Sequence, residues 1–101
     1  MSNGKKLLLA DRELVVVARH FKLLGEPMRL KILQAVCDRP LTVNSIVTAA
    51  GATQANVSKH LALLAAAGIV TRQKDGQFVY YGIRDPLTLK LCKLVHSQML
   101  K

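Results

Sequence analysis

Carboxylates are scarce in this sequence: 6 Asp and Glu stand against 15 Lys and Arg, a formal net charge of +9. None lies between Asp38 and Asp75, whereas Arg39, Lys59, Arg72 and Lys74 all do. A segment without carboxylates approaches phosphates free of like-charge repulsion. The overall excess points to a polyanionic partner, either nucleic acid or an anionic membrane surface. Long apolar runs are also missing, and none approaches the roughly 20 residues that a spanning helix needs. The opening MSNGKKLLLADREL has too short an apolar core for a secretory signal. Membrane association is therefore not expected. Cysteine occurs at Cys37 and Cys92 only, too few and too far apart for a disulfide scaffold, so a reducing cytoplasmic location is expected.

Catalytic signatures are absent as well. There is no Gly-rich phosphate loop, no nucleophile with a base at plausible spacing and no paired carboxylates. Gly4, Gly25, Gly51, Gly68, Gly76 and Gly82 all read as breakers or turns. Neither an enzyme nor a cofactor is expected. Low-complexity segments, internal repeats and linkers are missing too. With 101 residues, 50% of them hydrophobic, the chain is expected to form one domain over residues 1–101. A domain this small gains from burying further apolar surface by dimerising.

What is present is cleanly punctuated. Leu14, Val17, Phe21 and Leu24 form the stripe of a first helix, capped by Asp11 and stopped by Gly25. Glu26-Pro27 starts a second, because proline suits a helix's first turn. Its stripe is Leu30, Leu33 and Val36 or Cys37, and Arg39-Pro40 ends it. Thr42 caps a short third helix with Val43, Ile46, Val47 and Ala50 inward, closed by Gly51. Thr53 caps a fourth, which runs to Ala65-Ala66-Ala67 and stops at Gly68. Two short helices joined by a tight Gly-containing turn are a helix-turn-helix.

The period then changes. Ile69 to Lys74 and Gln77 to Ile83 are rich in β-branched and aromatic residues, and Asp75-Gly76 between them signals a hairpin. Arg72, Lys74 and Gln77 fall near its tip. Asp85-Pro86 opens a last helix with an apolar stripe of Leu87, Leu91, Leu94 or Val95, and Met99. The expected order is α-α-α-α-β-β-α: a mainly α chain with one β-hairpin, which is a winged helix-turn-helix. The first and last helices carry more apolar positions (Leu7, Leu8, Leu9, Val15, Val16, Leu89, Leu100) than one small core can bury, which predicts an obligate homodimer through those helices.

The fourth helix carries the sharpest functional signal. Val57, Leu61 and Leu64 sit at i, i+4 and i+7 on one face. Off that stripe lie Gln54, Asn56, Ser58 and Lys59, residues suited to the edges of base pairs rather than an ordinary Glu/Lys surface. His60 borders the stripe, where a packing role and a base or phosphate contact are both open.

FKLLGEPMRLKILQAV (21–36), ATQANVSKHLALLAAAGIV (52–70) and KDGQFVYYGI (74–83), in that order and spacing, resemble the ArsR/SmtB family of bacterial winged-helix transcriptional repressors. The resemblance covers nearly the whole chain. It implies a homodimer built on the first and last helices, binding a palindromic double-stranded DNA operator that overlaps a promoter and released by an inducer. By position, Thr53, Gln54, Asn56, Ser58 and Lys59 match the stretch that enters the major groove, and Arg72, Lys74 and Gln77 match the wing.

The family's metal sites are not matched. Leu41-Thr42-Val43-Asn44 stands where a CxC pair would be, and Leu87 and Gln98 replace ligands expected after Asp85 on the last helix. No metal site is therefore assigned. Cys37, placed late in the second helix, and Cys92 and His96 on the last remain as inducer candidates. Cys92 and His96 share a helix face at i, i+4 and could chelate a soft metal if a further ligand completed the set. One branch of the family senses reactive sulfur or oxidants with a cysteine in each of these helices, at offsets that differ from Cys37 and Cys92. The third reading is that both thiols simply pack. Two other functions compete with the repressor: a winged helix used for protein–protein contact, and a basic protein that coats nucleic acid without sequence preference.

Overall fold

Helix boundaries in this chain are set by side chains that satisfy the backbone groups each helix leaves free. The computed structural model describes residues 8–100. Among them run α1 (Asp11–Leu24), α2 (Pro27–Ala35), β1 (Leu41–Thr42), α3 (Val43–Ala50), α4 (Gln54–Ala66), β2 (Val70–Asp75), β3 (Phe78–Ile83) and α5 (Leu87–Met99). Glu26 caps α2 by accepting from the Met28 N–H at 2.6 Å, with Pro27 filling the first turn, where no N–H is needed. The Thr42 hydroxyl accepts from the Ser45 N–H at 3.3 Å to start α3, and Gly51 ends it in the left-handed region at φ 66°. The order matches the winged-helix expectation with one addition, the strand β1.

Several local expectations need correction. Asp11 does not cap α1. Ala10 holds the cap position, and its N–H donates to Glu13 Oε1 at 2.8 Å, leaving Asp11 as the first helical residue, where its charge suits the helix dipole. The second helix ends at Ala35, before Arg39-Pro40, so Cys37 lies in the bend beyond it. The hairpin loop is Gly76-Gln77, closed by the pair Asp75↔Phe78, not Asp75-Gly76. Gly76 takes φ 63°, a conformation that most side chains resist. The sheet has three antiparallel strands in the order β1-β3-β2, where a two-stranded hairpin was expected. Leu41 and Thr42 pair with Tyr81 and Tyr80, placing Pro40 against Gly82. A Cβ at Gly82 would come within 3.1 Å of Pro40 Cγ, so the glycine is what lets this edge close.

The core is the middle of the chain. Ile32, Leu33 and Val36 from α2 and its cap, Ile46 from α3, Val57, Leu61 and Leu64 from α4, and Ile69 and Val70 entering β2 form one buried cluster. Ile32, off the stripe assigned from sequence, is fully buried, while Leu30 on that stripe is exposed.

Helix α1 buries no residue and α5 buries only Thr88. Their apolar side chains stand open: Val16 is 64% exposed, Leu94 63% and Met99 73%. Leu7, also assigned to this apolar set, lies outside the described residues. The shape reflects this, with a radius of gyration of 15.6 Å against about 13 Å for a compact fold of this length.

The fold depends on the cluster around α4. Leu61→Ala is expected to lower the unfolding free energy by about 2–5 kcal/mol, measured by urea titration at fixed protein concentration.

Candidate nucleic-acid interface

Helix α4 is held at both ends. At its start Thr53 adopts an extended backbone, and its hydroxyl accepts from the Asn56 N–H at 3.2 Å. At its end the Ile69 N–H reaches the Leu64 carbonyl at 2.9 Å and the Gly68 N–H the Ala65 carbonyl at 3.0 Å, with Gly68 at φ 75°. These paired bonds form a Schellman motif, which turns the chain sharply into β2.

Burial fixes the rotation of α4 about its axis. Val57, Leu61 and Leu64 are fully buried, and His60 joins them at 7% exposure. His60 is therefore a packing residue rather than a surface contact, and its Nδ1 has no hydrogen-bond partner among the described residues. Directly opposite, on a helix of 3.6 residues per turn, stand Ala55, Lys59, Ala62 and Ala66, all exposed. Gln54 and Ser58 flank this line on one side and Asn56 on the other; these too are exposed, as is Thr53. The structure thus gathers all five sequence-assigned α4 residues on the solvent side. Ala55 and Ala62, at the centre of the face, were missed because attention went to polar side chains. Counting residues opposite the Val57–Leu61–Leu64 stripe would have found them.

The wing carries the other three assigned residues. Strand residues alternate faces, so Arg72 and Lys74 share the side of β2 that begins at buried Val70. From Arg72 to Asp75 the strand is exposed, where the ribbon outruns the core. Arg72 lies opposite Tyr81, and its Nε donates to Tyr81 Oη at 3.3 Å. Lys74 lies opposite Val79, and Gln77 sits in the loop itself. All three are exposed.

The inducer candidates also meet. Cys37, Cys92 and His96 line one open groove of about 600 Å³ between the end of α2 and α5, together with Leu33, Gln34 and Lys93. Cys37 is exposed and Cys92 half-buried, both as free thiols. Among the described residues no cluster of three or more His, Cys, Asp or Glu could hold a metal ion. A second, more apolar groove of about 490 Å³ runs beside it between Phe21, Leu24, Leu30, Leu91, Val95 and Met99. No helix among the described residues is long and apolar enough to cross a membrane.

A family model described as bacterial regulatory protein, arsR family, matches residues 26–72. That span runs from the cap of α2 into β2 and contains all of α4. The chain is similar to the cadmium resistance transcriptional regulatory protein CadC of Listeria innocua, 38% identical over 93 residues, or 91% of this chain and 78% of CadC. It is also 38% identical over 77 residues to a Streptomyces lividans protein named as the probable mercury resistance operon repressor, covering 76% of this chain. The chain spans 62% of that relative's length. Among solved structures, a homodimeric winged helix-turn-helix DNA-binding domain from Mycobacterium bovis superposes with a TM-score of 0.79 at 28% identity, over 95% of this chain and 94% of that one.

The Thr53 cap sets the first turn of the exposed face. Thr53→Ala is expected to cost about 1 kcal/mol of unfolding free energy without loss of fold, read from paired thermal and urea melts.

Proposed function

The chain belongs to the ArsR family of bacterial regulatory proteins, and from that premise we propose that it is a transcriptional repressor that binds a palindromic double-stranded operator as a homodimer. The observation that carries this reading is the solvent face of α4. Small residues (Ala55, Ala62) at its centre let the helix sit deep in the major groove, with Thr53, Gln54, Asn56, Ser58 and Lys59 around them to meet base edges and phosphates. Gln54 and Asn56 suit adenine, Ser58 either kind of base, and Lys59 guanine or phosphate. Arg72, Lys74 and Gln77 on the wing lie along the backbone beside the minor groove.

The uncovered apolar stripes of α1 and α5 support the dimer, since a second copy of the same surface would close both. Two-fold pairing sets the α4 helices in successive major grooves about 34 Å apart. Residues 1–101 act as one domain in this reading, in the cytoplasm, and without catalysis.

Selection of bound sites from a random duplex library at physiological salt tests this. Recovery of an inverted repeat with half-sites about one helical turn apart is the expected result. On that repeat, Gln54→Ala should lose about 1–3 kcal/mol of discrimination at particular base pairs. Salt-dependent binding with no enriched sequence would instead favour a coating protein, and no binding would favour a protein-docking wing.

Inducer release is assigned to the groove that brings Cys37, Cys92 and His96 together. Two-electron oxidation removes both S–H bonds, joins the sulfurs and passes two electrons and two protons to the oxidant. The exposed bend holding Cys37 gives that chemistry access. The reduced protein should bind the selected repeat and the oxidised protein release it, with dithiothreitol restoring binding. Cys92→Ser should bind and ignore the oxidant; release of Cys92→Ser to the same extent would remove the thiol pair from the mechanism.

A further inference from the structure

We propose that Tyr81 is a positioning residue for the wing: its hydroxyl holds the Arg72 guanidinium in the orientation that meets a DNA phosphate. The inference rests on the reading of Arg72 as a DNA contact, and it goes beyond that reading by assigning a role to a residue that touches no DNA.

Three observations carry it. First, Arg72 and Tyr81 are directly opposed across β2 and β3, and Arg72 Nε donates to Tyr81 Oη at 3.3 Å. Second, Tyr81 is itself anchored. It is half-buried, its ring packs against the core cluster, and it lies on the middle strand, with Leu41 of β1 opposite its other edge. Its hydroxyl is thus a fixed point beneath a mobile cation. Third, the other two wing residues have no such support. Lys74 faces Val79, which offers no polar side-chain atom, and Gln77 sits in the loop.

The chemistry follows from the guanidinium's shape. It presents five N–H donors in one plane, and using the Nε donor on Tyr81 leaves the outer Nη edge free for two phosphate oxygens. A long exposed side chain otherwise loses rotamer freedom on binding. Tyr81 removes part of that loss beforehand and fixes the plane of the fork. Lysine cannot replace arginine here, because an ammonium has no second edge to hold.

The test is a double-mutant cycle on the highest-affinity duplex recovered from the random library, with affinity and salt dependence measured together. Tyr81→Phe removes the hydroxyl and keeps the ring, so the melting temperature should stay near that of the unmodified protein. It should weaken binding by about 3- to 10-fold while leaving the salt slope unchanged, since the charge remains. Arg72→Ala should flatten the slope by about 0.9, and in that background Tyr81→Phe should have no further effect. In the Arg72→Lys background the hydroxyl should again be without effect.

A Tyr81→Phe loss that persists undiminished beside Arg72→Ala would overturn the proposal, because Tyr81 would then act without Arg72. So would an Arg72→Ala loss with no effect from Tyr81→Phe. If Arg72→Ala changes neither affinity nor salt slope, the wing contact itself fails, and the positioning role goes with it.

Discussion

Val57, Leu61 and Leu64 lose all contact with solvent in the same cluster as Ile32, Leu33 and Ile46, and that burial fixes the rotation of α4 about its own axis. Each such side chain contributes about 1.5–3 kcal/mol on leaving water, so turning the helix to present another face would forfeit several of these terms at once. The outward display of Ala55, Lys59 and Ala62, with Gln54, Ser58 and Asn56 at the flanks, is therefore a consequence of packing on the opposite side. Thr53 and the Gly68 turn complete the constraint by fixing where the helix begins and where the chain leaves it. His60 belongs to the packed side too, and its unpartnered Nδ1 lies inside the fold rather than toward any ligand face.

The same economy of core leaves the ends of the chain unsatisfied. Nine residues from the middle elements make the buried cluster, and none comes from α1 or α5. The two terminal helices consequently expose the greater part of the molecule's large apolar side chains. Scattered exposed leucines need no explanation, but stripes along two helices do. A second copy meets the geometric requirement because a two-fold interface needs only one self-complementary surface. The groove containing Cys37, Cys92 and His96 lies against α5, next to the apolar groove that the same helix shares with α1 and α2.

Helix order, the caps at Thr42 and Thr53, the Gly51 and Gly68 stops and the exposed polar set on α4 were legible in the sequence, because each rests on interactions within one or two turns. The errors have a common cause. Strand β1 is two residues long and exists only through pairing with β3, so no local period announces it. The early end of α2 moved Cys37 out of the helix, and with it any inference from helical face. The hairpin loop slipped by one position because Asp75 pairs with Phe78 rather than turning. Ile32 was missed for a different reason: α2 is covered on two sides, by α3 and α4, and a residue off the single stripe is buried as a result. The bond between Arg72 and Tyr81 depends on strand register, which the residue types alone do not specify.

That register also joins parts of the molecule that look separate in the chain. The bend that carries Cys37 runs directly into Pro40, which lies against Gly82, and then into β1, whose Leu41 is paired with Tyr81. Tyr81 in turn meets Arg72 on the wing. A displacement of the bend large enough to carry β1 with it must either break the Leu41↔Tyr81 pairing or move β3. In both cases the support beneath Arg72 changes. Contiguity of this kind is a mechanical route, not yet a signal; it transmits regulation only when one end has two discrete states. A pair of free thiols across an open groove from one another supplies such an end, since their reduced and joined forms differ by a covalent bond. Glycine at position 82 is what makes the route tight: a side chain there would push Pro40 away and separate the bend from the wing.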